Sequence, residues 1–383
     1  MSNSKIKITI LSHDLSHNCL GRAHIIATAL SRYYNVEIVG PSVNGKIWAP
    51  LKDDRTVAIK IFGSNFLKNL RDIDGDILYA IKPKGKSFGY ALVKNKISKS
   101  KRPIILDIDD FELGEFLDMP KYKKILKFTF SLIRFWNINN ILTTSILETY
   151  THKATMITVS NYFLKQRYGG KLIPHFRNTA QFDPLNYNQD NIKKSYGLSN
   201  KDIILFLGTP RKHKGILDLV NSIDSLNRKD LVLMLVGVDK GFQHSIPKKS
   251  FIKTFGQQPF DNIPKFLAMA DIVTIFQSDS LSSRGQLPAK VFDAMAMSKP
   301  IIASRVSDLP KVLSGCGEVV NPGDIKVLSN KINYLLDNPK YAHELGRKAR
   351  LKCIKEYSYD AISPKLYNVV EAVLVKERPT AIT

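Results

Sequence analysis

Short apolar runs alternate with longer amphipathic segments along almost the whole chain. In the first half, the first segment with helical spacing begins at Arg22, and the longest such segment begins at Lys121. The strand-like runs of this half are residues 6–11, 36–39, 57–61, 77–80, 104–108 and 155–159. The helical segments between them include residues 22–33, 89–97 and 121–136. Strands that alternate with helices are typical of parallel sheets covered by helices.

The same alternation begins again after residue 200. Strand-like runs follow at residues 203–207, 231–236, 251–254, 272–276, 300–303 and 318–320. Helical segments follow at residues 216–227, 262–270, 288–297, 324–336, 340–357 and 362–376. Residues 169–200, rich in Gly, Pro and Asn, indicate a linker. We therefore predict an α/β protein with two Rossmann-like, doubly wound domains, at residues 1–175 and 176–357.

Composition limits the compartment and the class of protein. A hydrophobic content of 44% and a charged content of 24% are typical of globular domains. Cys19, Cys316 and Cys353 lack the spacing of a metal site and indicate a reducing compartment. The beginning of the chain lacks the pattern of a signal peptide, and no apolar run reaches the ~18 residues of a membrane span. We expect a cytoplasmic protein.

The net charge of +23, from 57 basic and 34 acidic residues, favours polyanionic partners. Anionic lipid and phosphorylated substrates fit this excess, and simple solubility explains it equally well. Nucleic acid is not expected as a partner, because aromatic residues are not interleaved with basic ones on a strand platform.

The helical segment at residues 121–136 is strongly amphipathic. Its apolar positions share one face: Tyr122, Ile125, Leu126, Leu132, Ile133 and Trp136. Lys123, Lys127 and Arg134 lie on the other face, and no acidic residue occurs from Met119 to Leu147. This pattern fits a helix that lies on an anionic membrane surface. It also fits a helix that packs on the first sheet with its basic face in solvent.

Two segments of the second half carry candidate chemistry. Gly208 and Pro210 turn the chain after a strand, and Arg211 and Lys214 follow at the strand end where ligands bind in open α/β sheets. A guanidinium with an ammonium suits a diphosphate, although a solvated basic turn has the same composition.

In the second segment, Pro288 fits a first helical turn, whose N-terminus attracts anions. Lys290 and Asp293 follow in the same helical segment, and a carboxylate there can accept hydrogen bonds from sugar hydroxyls. Phosphate and ribose receptors side by side predict a nucleotide site.

Candidate acceptor groups follow strands of the first half. His13 comes after the first strand, and Asp109 and Asp110 come after the strand at residues 104–108. Either aspartate could take a proton from an acceptor hydroxyl, and Gly21 with Arg22 could approach a sugar or phosphate. Asp107 and Asp109 could instead cap helices or form salt bridges with the basic surface.

The pattern Gly208, Arg211, Lys214-Gly215 and then Pro288-x-Lys290-Val-x-Asp293-Ala-Met-Ala resembles the donor half of GT-B glycosyltransferases, most closely family 4. The resemblance is good over residues 203–357 and loose before them. It implies that Arg211 and Lys214 neutralise the diphosphate and that Asp293 binds ribose. It further implies backbone contacts to phosphate from Gln286 and Leu287, and to the base near Gly256.

The resemblance implies metal-independent transfer of a sugar from a nucleoside diphosphate sugar to a glycan or lipid-linked acceptor, with retention of anomeric configuration. It also implies a last helix, residues 358–383, that returns to the first domain, and a role in cell-surface glycan synthesis at the inner face of the plasma membrane. One departure is Gly285, where the family often has a glutamate. Open alternatives are a nucleotide-sugar epimerase, a phosphorylase, a nucleotide binder without turnover and a non-enzymatic polyanion binder.

Overall fold

The computed structural model describes residues 6–134, 137–211 and 214–377. They form two compact units. The first unit takes in the chain up to Pro174, residues 280–286 and the chain from Ile362 onward. The second unit consists of His175–Asp279 and Leu287–Ala361. Residues 280–286, which the sequence pattern placed in the donor domain, thus belong to the first unit.

The first unit is built on a seven-stranded parallel sheet in the order β3-β2-β1-β4-β5-β6-β7. Its strands are β1 (Lys7–Leu11), β2 (Asn35–Gly40), β3 (Ala58–Ile61), β4 (Ile77–Ile81), β5 (Ile104–Ile108), β6 (Met156–Val159) and β7 (Lys171–Leu172). Its helices before residue 175 are α1 (Cys19–Leu30), α2 (Phe66–Asp72), α3 (Tyr90–Ile97), α4 (Gly114–Leu117), α5 (Lys121–Ile133), α6 (Ile141–Thr149) and α7 (Tyr162–Tyr168). The central strands β4 and β5 are buried throughout, as expected of a sheet covered on both faces.

The second unit contains a six-stranded parallel sheet in the order β10-β9-β8-β11-β12-β13. Its strands are β8 (Asp202–Leu207), β9 (Leu231–Val236), β10 (Ile252–Phe255), β11 (Ile272–Ile275), β12 (Ile301–Ser304) and β13 (Glu318–Val320). Its helices are α8 (Gln189–Ser195), α9 (Ile216–Asp224), α10 (Lys240–Gln243), α11 (Ile263–Met269), α13 (Lys290–Ala296), α14 (Leu309–Val312), α15 (Ile325–Asp337) and α16 (Pro339–Tyr357). Helix α12 (Leu281–Arg284) lies on the segment that belongs to the first unit.

The last helix, α17 (Tyr359–Glu377), contributes its residues from Ile362 onward to the first unit. There Tyr34 Oη donates a hydrogen bond of 2.7 Å to Glu371 Oε1, and Tyr367 stacks on the Tyr34 ring. These contacts fix the helix beside the end of α1.

The predicted fold class, two Rossmann-like domains with parallel sheets, is confirmed. All strands except β7 were predicted to within a residue or two, because buried parallel strands are continuous apolar runs. The two residues of β7 lie in the segment that was predicted to be a linker. The helices that were not predicted are all short, from four to nine residues: α2, α4, α6, α7, α8, α10, α12 and α14. In the part of the chain that the structure describes, no helix has both the length and the apolar content to cross a membrane.

Candidate functional site

A buried charge cluster lies at the carboxyl ends of β4 and β5 in the first unit. Lys82 directly follows β4 and has a φ of 70°, a left-handed conformation that is uncommon outside glycine. Its Nζ lies 2.6 Å from both Asp110 Oδ2 and Glu112 Oε1, and 3.4 Å from Asp109 Oδ1. Lys84 Nζ reaches Glu112 Oε2 at 2.8 Å.

The charges in this cluster stabilise one another. Although burial lowers the pKa of Lys82, the three surrounding carboxylates raise it well above its usual range. Although burial raises the pKa of Glu112, Lys82 and Lys84 hold it well below its usual range. Neither Lys82 nor Glu112 was among the predicted site residues. The signal for Lys82 was its position directly after an apolar run.

Asp109 differs from its neighbours in this cluster. Burial, helped by Asp110 and opposed by Lys82, raises its pKa from 3.8 to about 7. Its Oδ1 has no hydrogen-bond partner among the residues that the structure describes. A carboxyl group whose Oδ1 has the 3.4 Å ion pair with Lys82 but no hydrogen bond, and whose pKa is near neutrality, fits a group that exchanges a proton with a hydroxyl.

His13 and Asp110 have different environments. Burial lowers the pKa of His13 from 6.5 to about 4, so its imidazole is neutral at physiological pH, and its Nδ1 has no hydrogen-bond partner in the described chain. Both Asp110 oxygens are engaged, since Oδ2 contacts Lys82 and Oδ1 accepts a 3.0 Å hydrogen bond from Gln286 Nε2. Asp110 therefore holds the cluster together, and Asp109 is the better candidate for proton transfer.

The predicted acceptor residues Gly21 and Arg22 are committed to packing. Arg22 forms a bidentate pair with Asp107, with both N–O distances 2.9 Å, and donates to the Ile173 and Pro174 carbonyls. A Cβ on Gly21 would lie 3.3 Å from the Trp48 ring. The open backbone expected at Gly21 is therefore filled by an indole, and Arg22 ties α1 to β5.

In the second unit, the two predicted donor segments meet at the end of β8. Gly208 has a φ of 127°, and a Cβ built there would lie 3.3 Å from Lys290 Cε. Gly215, with a φ of 60°, is the N-cap residue of α9. Arg211 is exposed and Lys214 is half-buried in the loop between these glycines. Gly256 directly follows β10 and is exposed.

Asp293 has a partner that the sequence did not reveal. Its carboxylate is 3% exposed and accepts a hydrogen bond from Arg177 Nε. Arg177 also donates from Nη1 to the Phe176 carbonyl and lies over the Phe260 ring. The contact of Asp293 with ribose therefore stays a prediction, and a nucleotide would share this carboxylate with Arg177.

The helix start predicted at Pro288 is displaced. Helix α13 begins at Lys290 and has no side-chain cap. The backbone N–H of Gln286 donates to the Ser283 carbonyl at 3.2 Å, so a phosphate would compete with this hydrogen bond, and the phosphate contact of Gln286 stays a prediction. The Leu287 side chain is buried in the core of the second unit.

Packing within the first unit explains Gly285. A Cβ at this position would lie 2.2 Å from Phe111 Cβ, closer than nonbonded carbons can approach. The Phe111 N–H donates to the Gly285 carbonyl at 3.1 Å, and both Asp118 oxygens accept from the backbone of Leu281 and Ser282. Only glycine fits here without a shift, so a glutamate would displace the segment.

Comparison with known proteins agrees with this geometry. Residues 188–352 match the family model described as "Glycosyl transferases group 1". The match contains the Arg211 loop, Lys290 and Asp293. The resemblance of the chain to GT-B glycosyltransferases is therefore confirmed.

A curated relative is the MMP alpha-(1->4)-mannosyltransferase of Mycolicibacterium hassiacum, 26% identical over 173 residues. The match covers 43% of this chain and 41% of the relative, so it spans less than half the length of either protein.

Solved structures match over more of the chain. Sucrose-phosphate synthase from Thermosynechococcus elongatus aligns with a TM-score of 0.75 at 14% identity, covering 97% of this chain and all of the other. The Anabaena HepE protein, solved in complex with UDP-glucose, aligns with a TM-score of 0.73 at 13% identity, covering 96% of this chain and all of the other. At such identities these likenesses establish the fold.

Proposed function

We propose that this protein is a glycosyltransferase that moves a sugar from a nucleoside diphosphate sugar to an acceptor hydroxyl. The observation that carries the proposal is the meeting of Gly208 and Lys290, with Arg211 and Lys214 in the adjoining loop, inside the region that matches the family model. The complex of HepE with UDP-glucose supports a nucleotide-sugar as the donor.

The donor half of the mechanism concerns the leaving group. As the glycosidic bond breaks, negative charge grows on the departing diphosphate. Arg211 and Lys214 would stabilise that charge without a metal ion, because fixed cations lower the barrier most where charge develops. The guanidinium of Arg211 can hold two phosphate oxygens at once.

The acceptor half of the mechanism concerns the first unit. Asp109 would accept the proton of the attacking hydroxyl, and the neutral imidazole of His13 would orient that hydroxyl. The raised pKa of Asp109, about 7, matches a group that must exchange a proton near neutral pH. Lys82 acts through Asp109 and is a positioning residue.

The finer assignment follows the resemblance to family 4. We propose a retaining transfer of a hexose to a glycan or lipid-linked acceptor, on the cytoplasmic side of a membrane, in the synthesis of cell-surface polysaccharide. Retention would appear as the same anomeric coupling in donor and product, measured by NMR. Undiminished transfer in EDTA would support metal independence.

The experiment that tests the proposal measures release of nucleoside diphosphate from a panel of nucleotide-sugars, with and without acceptor glycans or lipid extracts. Wild type should release diphosphate from one donor class in the presence of acceptor. Arg211→Ala and Lys214→Ala should each lower the rate by about 100-fold or more, since each removes a charge contact to the leaving group. Lys253→Ala, an exposed lysine on β10, is the matched control.

Other outcomes would replace the proposal. Conversion of the donor alone into an isomeric nucleotide-sugar would identify an epimerase. Full activity in both the Arg211 and the Lys214 variant would contradict the assigned donor site.

A further inference from the structure

Helix α5 of the first unit exposes its apolar face, whereas an ordinary surface helix buries that face against the core. Its large apolar residues Tyr122, Ile125 and Ile133 are 62%, 65% and 68% exposed, and Leu126 and Leu132 are more than half exposed. The phenylalanines at positions 128 and 130 are exposed as well.

The polar side of the same helix faces the rest of the unit. Ser131 is its one buried residue, and its carbonyl accepts a hydrogen bond from Asn140 Nδ2. Lys124 and Lys127 are half-buried on this side. The expectation of a helix packed on the first sheet with a solvated basic face is therefore wrong. Of the predicted apolar face, Trp136 lies outside the described residues.

We propose that α5 docks this protein on an anionic lipid membrane, with its apolar face among the lipid chains. A soluble helix that exposes this much contiguous apolar surface marks an interaction site. The charge beside the apolar face indicates which partner binds there: Lys121 and Lys123 are exposed cations, and the chain has no acidic residue from Met119 to Leu147. Anionic headgroups complement such a helix, and lysines at its border keep their ammonium groups in the headgroup layer.

A second copy of this chain fits the exposed face of α5 less well than an anionic membrane does. A two-fold dimer through α5 brings the same face of both copies together, so the lysines of one copy approach those of the other. Like charges at an interface oppose association, whereas an anionic bilayer attracts the same groups. The net charge of +23 acts in the same direction.

The experiment is flotation of the full chain with vesicles of phosphatidylcholine containing phosphatidylserine, against vesicles of phosphatidylcholine alone. Wild type should float with the anionic vesicles, and added salt should weaken the binding. The double variant Ile125→Ser with Ile133→Ser should bind about tenfold or more weakly, because it removes the apolar contact. Lys121→Gln and Lys123→Gln should each cost about fivefold.

Two controls match these variants. Leu185→Ser alters a leucine of the second unit that is 91% exposed, and Lys340→Gln alters an exposed lysine at the start of α16. Both should float like wild type. Thermal denaturation checks that all variants remain folded, as expected of substitutions at exposed positions.

Three results would overturn the proposal. Wild type could fail to float with anionic vesicles, or the double variant could float undiminished. Alternatively, wild type could form a dimer without lipid that the double variant abolishes, which would make a second copy the occupant. The inference does not rest on the proposed transfer, because flotation is read without donor or acceptor.

Discussion

The charged side chains at the carboxyl ends of the two sheets differ in burial and in pairing. In the first unit, Lys82 and Asp109 are buried, Glu112 is half-buried beside them, and their charges largely neutralise one another. In the second unit, Arg211 is exposed in a loop between Gly208 and Gly215, both of which have positive φ.

The difference indicates that the charged groups of the two units have different roles. A buried network holds its members in one geometry, and it becomes costly as soon as one partner is lost. An exposed cation remains available to an incoming anion. We infer that the first unit is built to fix the position of one carboxyl group and the second to receive a diphosphate.

The largest effect on stability is expected from Lys82→Met. The substitution takes the ammonium group away from Asp109 and Asp110 and leaves Glu112 with Lys84 alone, so the free energy of unfolding should fall by about 3 kcal/mol. Chemical denaturation measures this change, and Lys96→Met, at an exposed position of α3, is the control. Equal stability of the two variants would mean that the cluster is not a coupled network.

The second prediction concerns pH. The folded pKa of Asp109 is about 7 against 3.8, so the native state keeps a proton that the unfolded chain loses. This group therefore makes the protein less stable as the pH rises from about 4 to about 7. Asp109→Asn should remove that loss and be the more stable protein above pH 7.

The third prediction concerns His13, whose pKa is lowered by the fold whereas that of Asp109 is raised. The folded pKa is about 4 against 6.5, so the stability contributed by the neutral imidazole is lost as the pH falls through this range. His13→Gln should reduce the loss of unfolding free energy as the pH falls from 6.5 to about 4. The pH dependence that Asp109 causes should remain in this variant. Identical pH profiles for wild type and both variants would exclude these two groups as the source.

A smaller effect is expected from Gly285→Ala. Its Cβ collides with Phe111, so residues 280–286 must shift, at a cost of about 1–3 kcal/mol in unfolding free energy. Gly63→Ala, which meets no atom within 4 Å, is the matched control for thermal denaturation. An unchanged melting temperature for Gly285→Ala would show that packing does not require the glycine.

Most strands, the longer helices and the turn beside the candidate donor cations were predictable because their signals are local. Strand β5 was predicted at its observed bounds, since its five residues are all buried. The turn at Gly208 and the cations at Arg211 and Lys214 lie within a few residues of one another. Local spacing was enough to identify them.

The partners of the site residues were not predictable, because they come from distant parts of the chain. Arg177 pairs with Asp293 across 116 residues, and Lys82 meets Asp110 across 28. The collision of Phe111 with any side chain at position 285 depends on packing that no spacing rule records. For α5, the sequence showed an apolar face and a basic face. Only the structure showed that the apolar face is exposed to solvent.

The most direct test of the account is a calorimetric titration of the full chain with nucleoside diphosphates. One diphosphate should bind to wild type and to Lys253→Ala with equal affinity. Arg211→Ala should bind it about tenfold or more weakly, since a hydrogen bond between charged groups contributes roughly 1.5–3 kcal/mol. Equal affinity in Arg211→Ala and wild type, or no binding of any nucleoside diphosphate, would contradict the assignment of the second unit as the donor site.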